Sequence, residues 1–175
     1  GPTDDGRIKP DLVTNGVGVY SSTASSNSSY ASWPGTSMAT PGATGSLLLL
    51  QELYQDNTST FMKAATLKAL AIHTADEAGS FAGPDYKFGW GLMNTGNAAL
   101  HITDTTCNKD ITEATLTNGN TYYFNLTANG FSPIKVTICW TDVQGTPPSA
   151  SLNPTTPMLV NDLDVRIVRN SDSTI

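Results

Sequence analysis

Positive charge is scarce in this chain of 175 residues, which carries nine Lys and Arg against fifteen Asp and Glu and has a net charge of −6. Because nucleic-acid binding normally depends on a basic surface that neutralises phosphates, this balance excludes a nucleic-acid partner. Long apolar runs are also missing. The longest is the four leucines at 47–50, far short of the roughly 20 residues that span a bilayer. We therefore expect no membrane partner.

Histidine and cysteine are equally rare, with two of each. Cys107 and Cys139 would either form one disulfide in an oxidising compartment or stay as two buried thiols. They are 32 positions apart with no further ligand pattern around them, so they make a poor zinc site. What the chain does contain is 38% hydrophobic and 14% charged residues, with many Ser, Thr, Asn and Gly. This composition is typical of a globular, loop-rich protein of one domain or two small ones.

The most informative stretch is residues 35–41, which read Gly-Thr-Ser-Met-Ala-Thr-Pro. A glycine at a turn is followed by a serine at the start of a predicted helix. There the free N–H groups and the positive end of the helix dipole favour negative charge that develops nearby. Ser37 is therefore the candidate catalytic nucleophile, and Gly35 and Thr36 are expected to shape the turn that presents it.

Two flanking stretches accompany this motif. Residues 1–13 read Gly-Pro-Thr-Asp-Asp-Gly-Arg-Ile-Lys-Pro-Asp-Leu-Val, and residues 86–94 read Tyr-Lys-Phe-Gly-Trp-Gly-Leu-Met-Asn, with Ala98 and Ala99 behind them. With the serine motif, they resemble the subtilisin-like serine proteases (subtilases) over roughly residues 1–102. One departure lies at residues 14–16, where Thr-Asn-Gly stands in place of the Ala-Pro-Gly of many relatives. Since proline fixes φ and asparagine does not, we expect a less rigid loop there.

The resemblance implies an acyl-transfer mechanism that needs no cofactor. Ser37 would attack a peptide carbonyl, and its backbone N–H would donate to the oxyanion, as in related proteases. The triad of this family runs in the order Asp, His, Ser, so its Asp and His are expected before Gly1, as is the asparagine that donates to the oxyanion. The chain would then be the C-terminal part of a protease, inactive alone, with the N-terminal part of the same protease as its partner.

Two neighbours of Ser37 are candidate substrate-binding residues. Pro34 would border the leaving-group side of the cleft or act only as a turn proline. Met38 would lie beside the nucleophile, where oxidation to the sulfoxide would reduce activity, or would simply pack in the core.

The two histidines offer an internal alternative to an upstream base. The order Ser37, Asp85, His101 would mimic that of the α/β-hydrolases, but those enzymes use a G-x-S-x-G turn that this chain lacks. His73 is expected near the end of a helix, where a histidine suits the dipole. We therefore expect neither histidine to serve as the base.

The expected fold class is α/β, the C-terminal portion of a subtilisin-like three-layer domain over residues 1–102. We predict a strand at 17–20, a serine-rich loop at 21–32, a fully buried helix from about 37 to 54, and a second helix from about 60 to 74. The second helix would be capped by Thr58, Ser59 or Thr60. Pro41 is expected in the first helical turn, where its missing N–H has no partner to lose.

Residues 103–175 are expected to form a second, partial antiparallel β-sandwich. The periodicity changes to two in the predicted strands at 110–117, 121–128, 134–141 and 158–168, with turn signals at 118–120 and 129–130. The region resembles, more weakly, the jelly-roll domain behind some subtilase catalytic domains. Asp162 and Asp164, with Asp142 nearby, would hold a structural calcium ion, or would be solvated or paired with a neighbour such as Arg166.

The leading hypothesis is a piece of a secreted, extracellular serine endopeptidase that acts on protein or peptide substrates. The alternative is a non-catalytic subtilase-derived fragment joined to a β-sandwich binding module. A third hypothesis is a processing product that stays bound to its N-terminal partner. In the third case, the isolated chain would expose the core of a split sheet and self-associate.

Overall fold

The computed structural model describes residues 1–104 and 110–169. In the first of these ranges the chain forms two strands and three helices, which are β1 (Val19–Ser22), β2 (Tyr30–Trp33), α1 (Thr36–Thr58), α2 (Ala64–His73) and α3 (Thr95–Thr103). The described part is thus small and mixed α/β, as expected for part of a subtilase domain. None of its helices combines the length and the apolar composition that a membrane crossing requires.

The strands form an antiparallel hairpin where only one strand and a serine-rich loop were predicted. The register runs from Val19 opposite Trp33 to Ser22 opposite Tyr30. Stacked rings of Tyr20 and Tyr30, with centroids 5.5 Å apart, join the two strands across the hairpin. Its serine-rich connection is closed by local hydrogen bonds. The loop prediction was therefore wrong at both ends of residues 21–32, because cross-strand pairing overrides the local composition.

Helix α1 begins one residue earlier and ends four residues later than predicted. It begins after Gly35 and ends at Thr58. The next residue, Ser59, adopts a left-handed φ of 61° and donates its N–H to the Gln55 carbonyl. Pro41 is the sixth helical residue, not a first-turn residue, so the prediction of its place was wrong. Since proline has no N–H, the carbonyl of Ser37 lacks its usual partner four residues on.

The core is small and lies where the three helices meet. Leu50, Met62, Leu70 and Ala98 form its buried cluster. Helix α1 is not buried all round as predicted, since the side chains of Leu48 and Leu49 are 66% and 62% exposed. One face of the leucine run therefore packs inward while the other is open.

Helix α2 is shorter at its start than predicted and is not capped by Thr58, Ser59 or Thr60. The amide of Gln51 bonds both backbone groups of Met62, at 2.9 and 3.0 Å, and so holds that residue outside the helix. Lys63 takes the N-cap position without a side-chain cap of its own. Helix α3, by contrast, was not predicted. Asn94 caps it by accepting from the Asn97 N–H at 2.8 Å.

A backbone ladder brings the two ends of this region together. Val13 donates to the Gly91 carbonyl at 3.0 Å and accepts from the Met93 N–H at 2.9 Å. Leu92 pairs on its other side with Asp76. The Gly-Trp-Gly motif at 89–91 thus lies between two backbone segments, and its glycines allow that close approach.

Residues 110–169 contain no helix or strand in the described structure. The predicted turns are present, since the Asn120 N–H donates to the Thr117 carbonyl at 3.1 Å and Gly130 has a φ of 76°. The predicted strands do not pair with each other there, and large side chains such as Tyr123 and Phe131 are 82% and 95% exposed. The jelly-roll and the domain boundary after residue 102 therefore stay predictions.

The choice between a Cys107–Cys139 disulfide and two buried thiols falls partly outside the described residues. Cys107 lies among the residues that the structure does not describe. Cys139 is half-buried and forms no disulfide within the described ranges.

Candidate functional site

Ser37 is the second residue of α1, directly after the sharp turn at Gly35. Its side chain is exposed and forms no hydrogen bond with any described residue. The first helical turn carries no acidic residue, so no neighbouring carboxylate there competes for its free N–H groups. This arrangement leaves the Ser37 hydroxyl and the positive end of the helix facing the same open space.

Gly35 adopts a backbone conformation that only glycine tolerates. Its φ of 144° and ψ of 162° lie in a region that L-residues essentially do not enter. Its carbonyl accepts from the N–H groups of Met38 and Ala39, at 3.1 and 3.2 Å. The glycine therefore turns the chain from β2 into the helix within one residue.

The other predicted site residues differ in their surroundings. Met38 is half-buried, and a Cβ placed on Gly35 would lie 3.4 Å from its Sδ. Thr36 is exposed, and its carbonyl accepts from the Thr40 hydroxyl at 2.9 Å. Pro34 is exposed at the turn.

An open cavity of about 670 Å³ lies between the hairpin and the start of α1. Ser37 and Met38 both line it, together with Trp33 and the hairpin strand β1. Pro34 and Thr36 are not among its lining residues. The cavity is large enough to receive part of a peptide beside the Ser37 hydroxyl.

His73 and His101 do not line this cavity. Their rings contact each other edge to face, with centroids 5.1 Å apart. The Nδ1 of His73 also lies 2.9 Å from the Thr137 hydroxyl, and Lys135 donates to the His73 carbonyl at 2.5 Å. Burial, the Lys135 charge and the neighbouring His101 lower the pKa of His73 from 6.5 to about 4. His73 thus lies in the last turn of α2, as expected, but it is packed and largely uncharged at neutral pH, so the helix dipole does not explain its place.

Asp85 does not line the cavity either, and its carboxylate serves a turn. It accepts from the backbone N–H groups of Lys87 and Phe88, both at 2.7 Å. The structure therefore gives no support to an internal triad of Ser37, Asp85 and His101.

The aspartates that were the candidates for a calcium site do not form a cluster. Asp142 accepts from the Val160 N–H at 2.7 Å and from the Asn161 side chain at 2.6 Å. Desolvation alone would raise the pKa of this carboxyl, but these hydrogen bonds outweigh it and lower the pKa. Within residues 1–104 and 110–169, no three His, Cys, Asp or Glu side chains lie close enough to share a metal ion. Asp162 and Asp164 are not brought together with Asp142 at such a site.

Sequence reasoning missed the contacts that residues 14–16 make with the serine turn. The Thr14 hydroxyl donates to the Ala39 carbonyl at 2.8 Å, and the Gly16 carbonyl accepts from the Gly35 N–H at 2.7 Å. The sequence did single out this loop, because residues 14–16 read Thr-Asn-Gly in place of Ala-Pro-Gly, but it did not indicate what the loop contacts. In place of a proline, the Asn15 side chain accepts from the Val17 N–H at 3.0 Å and so constrains the loop locally.

The comparisons with known proteins agree with the resemblance seen in the motifs. The subtilase family model matches residues 1–91. A curated relative, the serine protease/ABC transporter B family protein tagA of Dictyostelium discoideum, is 28% identical over 200 aligned residues, covering 96% of this chain. The chain spans 11% of the length of that relative. Because the family match covers more than half of the chain, the protein belongs to the subtilase family.

Proposed function

We propose that this chain carries the nucleophile of a serine endopeptidase, and that the nucleophile is Ser37. The observation that supports this most directly is the exposed, unengaged hydroxyl of Ser37 at the N-terminus of α1, on the wall of an open cavity. Family membership supports peptide-bond hydrolysis as the reaction class. The substrate class is therefore a protein or peptide.

The proposed reaction proceeds through an acyl-enzyme. The Ser37 oxygen attacks the peptide carbonyl carbon while its proton passes to a general base, and the Ser37 N–H donates to the resulting oxyanion. Collapse of this intermediate breaks the C–N bond, and the leaving amine takes up the proton. Water then attacks the acyl-enzyme by the same route and releases Ser37.

The general base and its aspartate are proposed to come from the N-terminal part of the same protease, as is the second oxyanion donor. The support is the placement of the chain's own histidines, which pack against each other and do not line the cavity of Ser37. The reaction requires no cofactor, and calcium would act only structurally. An extracellular site of action rests on the family resemblance alone.

Covalent labelling tests the proposal. Material from the native source is treated with a fluorophosphonate and its intact mass is measured, with Ser37→Ala as the matched control. We expect one adduct, located on Ser37 and absent from the variant. If the wild-type protein is not labelled, the proposal is wrong, and the result favours the alternative of a non-catalytic fragment with a binding module.

A further inference from the structure

Both flanks of Ser37 are held by one short loop. On the N-terminal side, the Gly35 N–H donates to the Gly16 carbonyl at 2.7 Å. On the C-terminal side, the Thr14 hydroxyl donates to the Ala39 carbonyl at 2.8 Å. The nucleophile therefore lies in the middle of a five-residue turn whose two ends are fixed to the same tripeptide.

Close packing adds to these hydrogen bonds. A Cβ placed on Gly16 would lie 2.7 Å from the Gly35 carbonyl oxygen and 3.2 Å from the Ala39 Cβ. The first distance is one that real Cβ atoms essentially never show, and its neighbour is backbone. Any side chain at position 16 would therefore displace the turn that carries Ser37.

The loop is itself fixed to the rest of the molecule. Asn15 constrains its shape through the Val17 N–H. Directly before it, Val13 is hydrogen-bonded through both of its backbone groups to Gly91 and Met93. A continuous series of backbone contacts thus runs from the Gly-Trp-Gly segment to the serine turn.

We propose that Thr14 and Gly16 are positioning residues for Ser37, an inference that rests on the proposed function. The Ser37 side chain has no described partner of its own, so its place is set by its backbone. A nucleophile misplaced by about 1 Å can lose on the order of 100-fold in rate. Thr14 and Gly16 hold that backbone on either side and so act through Ser37. Thr14 also lines the cavity, so an unchanged KM is the readout that separates positioning of Ser37 from a contact with the substrate.

The test uses the complete protease and four variants. Thr14→Val removes the hydroxyl at nearly constant shape, Thr14→Ser restores it, and Gly16→Ala adds the clashing Cβ. Thr44→Val is the matched control, since the Thr44 hydroxyl also donates to a carbonyl of α1, at 3.0 Å, but further from the site. The readouts are the rate of fluorophosphonate labelling, kcat and KM on a peptide, and amide exchange at Gly35.

For Thr14→Val we expect labelling and kcat to fall about tenfold or more with KM unchanged, together with faster exchange at Gly35. Thr14→Ser and Thr44→Val should match the wild type, and Gly16→Ala should lose more. Wild-type labelling and kcat in Thr14→Val would overturn the inference, as would failure of Thr14→Ser to restore them. If the wild type is never labelled, the proposed function fails. Amide exchange at Gly35 then tests by itself whether Thr14 holds the serine turn. Unchanged protection of the Gly35 N–H in Thr14→Val would overturn the inference.

Discussion

Gly89 shows how neighbouring backbone atoms restrict the choice of residue. It is buried with a φ of +60°, and a Cβ there would lie 2.1 Å from the Pro10 carbonyl oxygen and 2.4 Å from that of Asp11. Gly83 also has a positive φ, +96°, but has nothing within 4 Å of its would-be Cβ. Substitutions at these two glycines therefore distinguish the cost of backbone strain from the cost of a steric clash.

We expect Gly89→Ala to destabilise the chain by more than about 4 kcal/mol or to prevent folding, because strain and a backbone clash act together. Gly83→Ala should cost only about 1–2 kcal/mol, since only the left-handed strain is present. Thermal unfolding followed by circular dichroism measures both. Equal losses of stability in the two variants would show that the clash with the Pro10 and Asp11 carbonyls plays no part.

His73 makes stability depend on pH in a defined direction. Its pKa is about 4 in the folded chain and 6.5 without these surroundings, so the unfolded chain binds the extra proton first as pH falls. Stability is therefore full above about pH 6.5 and declines as pH falls from there towards 4. We expect the melting temperature to drop between pH 7 and pH 5, and less so in His73→Gln. An identical slope in the variant would contradict this assignment.

For single residues, the sequence predicted the features that depend on neighbours in the chain. The serine motif placed Ser37 at a helix start, and the glycine before it was recognised as a turn residue. Thr14 and Gly16 were missed because their contacts cross more than 15 positions of chain, and a short motif carries no information on such distances. The Asp142 carboxylate was likewise engaged by the backbone N–H of Val160, 18 positions away.

At the level of elements, α2 is contacted at both ends by residues beyond α3. Glu113 accepts from the Lys63 N–H at 2.8 Å and from the Thr66 hydroxyl at 2.5 Å. The hydrogen bond from the Thr66 hydroxyl lowers the pKa of Glu113, and so do the contacts with Lys63. Burial has a smaller, opposite effect on this pKa. At the other end, Lys135 donates to the His73 carbonyl. An anion at the N-terminus and a cation at the C-terminus both complement the helix dipole.

We expect Glu113→Ala to destabilise α2 by about 1 kcal/mol, the typical loss of an N-cap. Amide exchange in the first turn of α2 should become faster, while exchange in α1 should not change. Glu52→Ala, on the exposed surface of α1, is the matched control and should stay within about 0.5 kcal/mol of the wild type. If both variants behave alike, the contact at Lys63 does not cap the helix.

Elements with a local cause were predicted better than those without one. The turns at 118–120 and 129–130 depend on Asn and Gly themselves and are present. The strands between them depend on partners elsewhere in the chain, and alternation alone cannot supply those hydrogen bonds. The late start of α2 likewise follows from Gln51, a distant side chain that bonds both backbone groups of Met62.

The whole molecule exposes far more surface than its mass requires. Its accessible area is 13,080 Å², whereas a compact monomer of 18.5 kDa would expose about 8,200 Å². Large apolar side chains on this surface include Val17, Leu48 and Leu49. Such a surface favours association with a covering partner or with further copies of the chain.

We therefore expect the isolated chain to self-associate at micromolar concentration. Size-exclusion chromatography with light scattering measures this, and a Leu48→Gln, Leu49→Gln variant should shift the distribution towards monomer. A Glu52→Gln variant, on the same helix, serves as the control. A sharp monomer peak for the unmodified chain would contradict the prediction.

The pairing of Val13 with Leu92 also bears on the order in which the protein folds. It closes a loop of about 80 residues, which costs about 4 kcal/mol of chain entropy before any contact forms. The hairpin and the helices close far shorter loops, so we expect them to form first and this pairing late. The loop that grips the serine turn follows directly after Val13. In a partly folded chain, Ser37 would therefore already lie at the start of its helix, but the backbone around it would not yet be fixed. The reactive geometry of Ser37 would form only in the last step of folding.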